Sequence, residues 1–295
     1  MTEQLPKSRM EAVLYFTPAR CAEYMVGVKW PDRKIKCPAC GNESCKQLAT
    51  RPVIKCNRKV CQKQTSLKVG TIFEDSKLGL DKWFVAVWSV ANAKNGISSH
   101  ELGRAIKVTQ QTAWFMEMRI REAMKSGTFT KLMGPVESDE TFVGGKDRNR
   151  HWNKKSGGSG GIGSGKVGVI GAISRKGNVV CRLIENTDER TLTGFVEATV
   201  SEQVRLIATD EHSGYGSLAE GGYRHQVVRH GRDEYVRGMV HTNSMESFWS
   251  LLKRGVMGTY HNVSRKYLPL YLNEFTFRHN NRKNADMFGA AVASC

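Results

Sequence analysis

The sequence predicts a multi-domain protein in which a small metal-stabilised domain and a helical region precede a larger α/β domain. Three observations support this prediction. Cysteines cluster between residues 37 and 61, apolar residues recur at helical spacing between 80 and 125, and short strand-like segments alternate with helices from about residue 135. We place the domain boundaries at 1–70, 71–130 and 131–295.

The composition favours a folded protein that binds a polyanion. The 295 residues are 40% hydrophobic and carry 45 Lys and Arg against 28 Asp and Glu, a net charge of +17. Such a positive charge favours nucleic acid as the binding partner. The alternatives are anionic lipids, acidic proteins, or a basic protein whose charge serves only its solubility. The sequence has no apolar run long enough for a membrane span and no apolar signal core near residue 1. We therefore expect no membrane association, a cytoplasmic location (nucleoid-associated if bacterial) and reduced cysteines.

Two cysteine pairs in the first domain predict a zinc ribbon. Cys37 and Cys40 form one knuckle, and Cys56 and Cys61 supply a second pair. Four thiolates complete a tetrahedral zinc site and leave no open position for a substrate, so the predicted Zn²⁺ is structural. Cys45 follows Cys40 at the same spacing as the second pair and is an alternative ligand, although we interpret it as a spare thiol. A reducing compartment disfavours disulfides instead.

Helix signals occur on both sides of the ribbon. Thr17 and Pro18 begin a helix that extends to about Val28, and an apolar helix follows over about 81–94. Two further helices, joined by a turn at 107–109, predict a helix-turn-helix-like DNA-binding region. The candidate DNA contacts at the start of its second helix are Thr109, Gln110 and Gln111. Two amphipathic helices joined by a turn are also a common packing motif, which is the structural alternative.

The order of elements after residue 131 is typical of the ribonuclease-H-like fold. The predicted order β-β-β-α-β-α-β-α favours a mixed sheet flanked by helices, although other α/β arrangements share this order. A Gly/Ser-rich tract at 153–165 predicts a mobile loop between the first two strands. Its glycines do not form a phosphate-binding motif.

Three acidic residues of this domain are candidate catalytic metal ligands. Asp139 lies on the first strand, Asp210 ends a later strand, and Glu246 lies in the first turn of a helix. Carboxylates from two adjacent strands and a helix suit two Mg²⁺ or Mn²⁺ ions roughly 3.5–4 Å apart, which promote in-line phosphoryl transfer. Capping is the alternative role, because Asp210 would cap a turn and Glu246 would form a capping box with Asn243.

Three charged residues accompany these acids. Because side chains alternate along a strand, we expect Glu137 to share the face of Asp139 and Glu140 to point to the opposite face. Lys253 lies seven residues after Glu246 on the same helix face. This lysine either grips a DNA phosphate or is a solvated surface charge.

Several motifs together resemble the DDE transposases of small bacterial insertion sequences that carry an N-terminal zinc ribbon, a group related to the eukaryotic Merlin transposons. The motifs are GTIFEDSKLGLDKW, ESDETFVGGK, ATDEHSGYGSL and HTNSMESFWSLLKRGVMGTYHN. The resemblance implies that Asp139, Asp210 and Glu246 form the metal-binding triad and that Lys253 contacts DNA phosphate. Asn243 is implied as a minor alternative or accessory ligand. The second cysteine pair is wider than the usual two-residue gap.

The resemblance also implies an activity and partners. Such a protein binds the terminal inverted repeats of its element, hydrolyses the 3′ phosphodiester at each end, and joins the 3′ ends to target DNA without a covalent protein intermediate. Two double-stranded DNA ends imply a homodimer or higher oligomer on DNA. The alternatives are a non-catalytic DNA-binding regulator derived from a transposase and a structure-specific nuclease of the same fold.

Overall fold

The computed structural model describes residues 5–48, 51–125, 130–145, 151–154, 165–204, 206–229 and 236–295. The helices are α1 (Arg9–Tyr15), α2 (Pro18–Lys29), α3 (Leu80–Asn92), α4 (Ser99–Ile106), α5 (Gln110–Ala123), α6 (Glu189–Thr199), α7 (Asn243–Arg254), α8 (Leu268–Asn280) and α9 (Met287–Ala293). The strands are β1 (Cys45–Gln47), β2 (Val53–Cys56), β3 (Gln64–Ser66), β4 (Pro135–Val143), β5 (Val167–Ser174), β6 (Val179–Ile184), β7 (Leu206–Thr209) and β8 (His225–Val227). Across the described ranges, no helix is long and apolar enough to cross a membrane.

The chain divides into two compact units. The first comprises Met1–Ala93, Ile97–Lys125 and Asn284–Cys295, and the second comprises Lys94–Gly96 and Ser126–Lys283. The first unit therefore takes in α9, although the predicted boundary at 131–295 assigned these last residues to the α/β domain. The predicted Gly/Ser-rich loop lies almost wholly outside the described residues.

The core of the first unit is built on α3, an apolar helix with buried side chains on most of its surface. Phe84 of this helix packs against Phe16, with ring centroids 5.6 Å apart, and against Phe288 of α9, at 5.3 Å. The backbone N–H of Ile72 donates to the carbonyl oxygen of Cys295. These aromatic and backbone contacts explain why the last residues of the chain belong with the first unit.

Helix starts in the first unit follow the capping signals. The Thr17 side chain caps α2 by accepting from the backbone N–H of Arg20, with Pro18 at the first helical position. Ser98 caps α4 in the same way, and Lys107 ends α4 in the left-handed conformation. The turn that follows leads into α5, so two helices joined by a short turn are present. DNA recognition by this pair stays a prediction.

The second unit is an α/β domain with a five-stranded mixed sheet of order β6-β5-β4-β7-β8. Strand β5 pairs antiparallel with both β4 and β6, whereas β7 pairs parallel with both β4 and β8. The predicted order of elements is observed, with a short 3₁₀ helix at Ser213–Leu218 between β7 and β8. The predicted mixed α/β sheet is thus confirmed.

Helices cover both faces of this sheet. One apolar core joins the sheet to α6 and the 3₁₀ helix through Ile170, Phe195 and Leu218. A second core on the opposite face joins the sheet to α7 and α8, where Trp249 and Phe275 are buried. Burial of apolar side chains on both faces holds the sheet between two layers of helices.

Unequal strand lengths open one edge of β4. Pro135 and Glu137 of β4 pair with Leu206 and Ala208 of β7, but β7 ends at Thr209 while β4 continues to Val143. Continuing this register places position 210 beside position 139. This part of β4 therefore keeps β5 on one edge, and among the described residues no strand is paired with its other edge.

Candidate metal centres

Three carboxylates converge where β7 ends. Asp139, Glu140 and Asp210 each present one carboxylate oxygen, and these oxygens lie within 4.8 Å of one another. The parallel register between β4 and β7 brings Asp139 and Asp210 together, as described above. Hard oxygen donors at this spacing fit Mg²⁺ or Mn²⁺.

Glu140 is the member of this group that sequence reasoning missed. Its side chain was expected on the face opposite Asp139. On that face the hydroxyl of Tyr215, which is buried in the core beside α6, donates to Glu140 Oε2 at 2.9 Å. His212 Nε2 lies 3.8 Å from Glu140 Oε1. The gap beyond β7 nevertheless lets a carboxylate from this face approach Asp139. Adjacency to Asp139 at a strand end is the sequence signal that would have identified it.

Glu246 and Lys253 share a cavity with the carboxylates. Both side chains are exposed, and with Asp139, Glu140 and Trp249 they line a cavity of about 580 Å³. Glu246 is not part of the group of three oxygens within 4.8 Å. The structure therefore brings the third predicted ligand near the other two without placing it among them.

The first turn of α7 tests whether Glu246 forms a capping box, the alternative to its role as a metal ligand. The N-cap residue is Thr242, so Asn243 is already helical and does not form the predicted capping box with Glu246. The Thr242 hydroxyl instead donates to Glu246 Oε1 at 2.9 Å. Glu246 also lines the cavity that the carboxylates share.

The electrostatics of the carboxylate group favour a bound cation. Burial and the nearby Asp210 and Glu140 raise the pKa of Asp139 to about 7. Burial and Asp210 also raise the pKa of Glu140. Trp249 Nε1 donates to Asp139 Oδ2 at 3.1 Å, which orients the carboxyl group. A divalent cation would relieve the mutual repulsion that raises these pKa values.

The four predicted zinc ligands converge in the first unit. The sulfur atoms of Cys37, Cys40, Cys56 and Cys61 lie within 4.8 Å of one another. Cys37 and Cys61 Sγ are 3.8 Å apart, and Cys40 and Cys56 Sγ are 3.7 Å apart. A tetrahedron with Zn–S bonds of about 2.3 Å has edges of about 3.8 Å. The donor set and its dimensions therefore fit a structural Zn²⁺.

Local backbone geometry supports the first cysteine knuckle. The backbone N–H groups of Ala39 and Cys40 lower the pKa of Cys37, which favours the thiolate. Gly41 has a φ of +69°, a conformation that glycine adopts readily at the tight turn. Cys45 lies outside the group, and its thiol donates to the carbonyl oxygen of Asn42.

The three side chains predicted to contact DNA, at the start of α5, differ in the hydrogen bonds that they make within the protein. Thr109 is the N-cap, and its hydroxyl accepts from the backbone N–H of Thr112. Gln110 Nε2 donates to Ser99 Oγ of α4 at 2.8 Å. Gln111 is exposed on the next position of α5. Two of the three side chains therefore contribute to the helix pair itself, whereas Gln111 is exposed, and DNA contact by any of them stays a prediction.

The fold and both sites define an α/β protein with a carboxylate group in the second unit and a Cys₄ group in the first, each of which could hold a metal ion. Residues 131–280 match the model of the ISXO2-like transposase domain family, which is just over half of the chain. The chain belongs to this family. It is also 29% identical over 281 residues to an uncharacterized protein in transposable element ISH50 of Halobacterium salinarum, covering 90% of this chain and 91% of that relative. The predicted resemblance to a transposase of an insertion sequence is confirmed.

Proposed function

We propose that this protein is a DNA transposase that binds the terminal inverted repeats of its element, hydrolyses the 3′ phosphodiester at each end, and joins these ends to target DNA. The observation that carries the proposal is the convergence of Asp139, Glu140 and Asp210 in a cavity shared with Glu246 and Lys253, within a transposase-family domain. The strand order of the sheet supports a ribonuclease-H-like assignment for this domain.

Each residue of the cavity has a proposed role. Asp139 and Asp210 hold the divalent cations, and Glu140 and Glu246 supply further carboxylates from either side. When bound, two such ions activate the attacking oxygen and stabilise the leaving oxygen. Lys253, together with the neighbouring Arg254, lines the cavity and offers the cationic contacts that a DNA phosphate requires.

The first unit is the proposed DNA-recognition unit. Its zinc ribbon and the α4–α5 pair would bind the terminal inverted repeats, with Gln111 as a base contact. A cavity at the turn between α4 and α5 is lined by His100, Arg104 and Lys107, which suit phosphate. Two element ends must be processed together, so we propose a homodimer or higher oligomer on DNA.

The test is a cleavage and joining assay on a plasmid that carries the DNA flanking this gene. Wild-type protein in Mg²⁺ or Mn²⁺ is compared with Asp210→Asn, and Asp188→Asn serves as the matched control. Asp188 is the N-cap of α6, where Asn caps equally well. We expect flank-specific nicks and joined products with the wild type and the control, and neither with Asp210→Asn.

Two outcomes would replace this proposal. Tight binding to the flanks without cleavage, by folded and zinc-loaded protein, would favour the non-catalytic regulator. Cleavage without joined products would favour the nuclease.

A further inference from the structure

A buried carboxylate on β4 contacts the beginning of α7. Glu137 is 0% exposed, and its Oε2 accepts from the backbone N–H groups of Ser244 at 2.7 Å and Met245 at 3.1 Å. Its Oε1 accepts from Ser244 Oγ at 2.9 Å and from Arg175 Nε at 2.8 Å. His241 Nδ1 lies 3.2 Å from the same oxygen. Each of these contacts links β4 to the segment that begins α7 or to Arg175, the residue that follows β5.

This carboxylate takes the place of an ordinary helix cap. The first backbone N–H groups of a helix have no partner within the helix, and the N-cap side chain usually accepts from them. Thr242 occupies the N-cap position of α7 but makes no such bond. Glu137 accepts from two of these N–H groups instead, and its negative charge lies at the positive end of the helix dipole.

Thr242, the N-cap residue whose usual role Glu137 takes, contacts Glu246. The Thr242 hydroxyl accepts no helix N–H, and it donates to Glu246 Oε1. Glu137 and Asp139 lie two residues apart on the same face of β4, so the cap joins the helix that carries Glu246 to the strand that carries Asp139. The Trp249 bond to Asp139, one helical turn further on, is a second tie between the same two elements.

We propose that Glu137 is a positioning residue that fixes the start of α7 on β4 and thereby holds Glu246 at the wall of the carboxylate cavity, where it would contribute to divalent-metal binding. The inference rests on the proposed function, since it assigns Glu246 to the metal site. Removing one partner of a buried ion pair leaves the other charge uncompensated, so loss of Glu137 also lowers stability. Metal affinity measured in folded protein is the readout that reports the positioning role.

The test measures Mn²⁺ affinity by electron paramagnetic resonance in the full chain. Glu137→Gln keeps the side-chain volume and removes the charge. We expect its Mn²⁺ affinity to fall about 10- to 100-fold, as is usual when a group that orients a metal ligand is removed. Glu246→Gln should cause a similar loss. The double variant should lose no more than Glu246→Gln alone, because Glu137 acts through Glu246.

Glu274→Gln is the matched control. Glu274 is also 0% exposed, pairs with Arg278 in the same unit, and lies outside the carboxylate cavity. The Glu274→Gln variant should be less stable than wild type, because it also changes a buried Glu to Gln, and its Mn²⁺ affinity should be unchanged. Glu137→Gln combined with Arg175→Met removes both charges of the pair, which keeps the protein folded if the single variant does not fold. Hydrogen exchange at Ser244 and Met245 should be faster in both Glu137 variants.

The outcomes separate this inference from the proposed function. Wild-type Mn²⁺ affinity in the folded Glu137 variants, or losses that add in the double variant, would overturn the positioning role. A wild type that binds Mn²⁺ through Glu246 but neither cleaves nor joins DNA would instead overturn the proposed function and leave the positioning role intact.

Discussion

Replacing Asp139 with Asn should stabilise the metal-free protein at alkaline pH. Burial, Asp210 and Glu140 raise the pKa of Asp139 from its ordinary value of 3.8 to about 7. The folded state therefore holds this proton more tightly than the unfolded state does. The resulting stability is fully present below pH 3.8 and is lost as the pH rises through about 7.

The size of the effect follows from the same pKa values. A change from 3.8 to about 7 corresponds to about 4 kcal/mol, at about 1.4 kcal/mol for each pH unit. Asp139 is only partly buried by its exposed area, so solvent screens part of this energy. We expect Asp139→Asn to raise the free energy of unfolding by about 2 kcal/mol at pH 8. The difference from wild type should shrink at pH 5, where Asp139 is mostly protonated.

Scanning calorimetry of zinc-loaded protein, dialysed free of Mg²⁺ and Mn²⁺, measures this effect. A gain of about 2 kcal/mol corresponds to a rise in Tm of roughly 4–8 °C for a unit of this size. Glu197→Gln is the control, because Glu197 is an exposed acid of α6 and its loss should change stability by less than about 0.5 kcal/mol. Adding Mn²⁺ should reverse the order, since the wild type gains binding energy and the variant does not. An Asp139→Asn protein no more stable than wild type at pH 8 would refute the electrostatic reasoning.

Three further predictions concern the two metal sites. Mn²⁺ affinity, measured by titration between pH 5.5 and 8, should rise about tenfold per pH unit below 7, because Asp139 with its raised pKa must lose a proton before it binds metal. Gly171→Ala should cost about 1–3 kcal/mol in chemical unfolding and also weaken Mn²⁺ binding. The added Cβ would lie 2.5 Å from Met245 Cε and 2.9 Å from the Trp249 ring, so these two side chains of α7 must shift, and Trp249 is the one bonded to Asp139. Cys56→Ala should abolish zinc binding, measured by metal analysis, and with it the binding of element ends.

Each of these predictions has a result that contradicts it. A pH-independent Mn²⁺ affinity would mean that no proton leaves the site on binding. Unchanged stability in Gly171→Ala would show that the contact between β5 and α7 has room for a methyl group. Cys45→Ala is the control for Cys56→Ala and should retain zinc, because Cys45 lies outside the group of four sulfur atoms. Loss of zinc from that control would place Cys45 among the ligands.

Local patterns predicted the elements and the residues whose neighbours are set by chain order. The spacing of Cys37 and Cys40 defines a knuckle by itself, and placing Asp139 and Asp210 on adjacent strands was enough to predict that their carboxylates lie close together. Alternation along a strand gave the faces of Glu137 and Glu140. It could not give their partners, because these depend on where β7 ends and where α7 begins.

Long-range packing could not be predicted from the sequence either, because it also depends on where distant elements lie in the fold. Nothing in residues 284–295 indicates that Phe288 packs against Phe16 and Phe84, since that contact depends on the path of the whole chain. Glu246 illustrates a further limit. Helical spacing placed it in the first turn of α7, but which group caps that turn is decided by Glu137, more than 100 residues earlier.

The return of α9 to α3 makes the second unit an insertion within the first. A ribosome synthesises the N-terminal helices and the ribbon early, yet the core around Phe84 lacks Phe288 until the second unit has been made. A fragment ending at residue 125 would leave this aromatic cluster open to solvent. An isolated version of the first unit therefore requires residues 284–295 to be joined to it through a linker. A premature stop codon late in the gene would damage the proposed DNA-recognition unit even though every residue of the carboxylate cavity is still encoded.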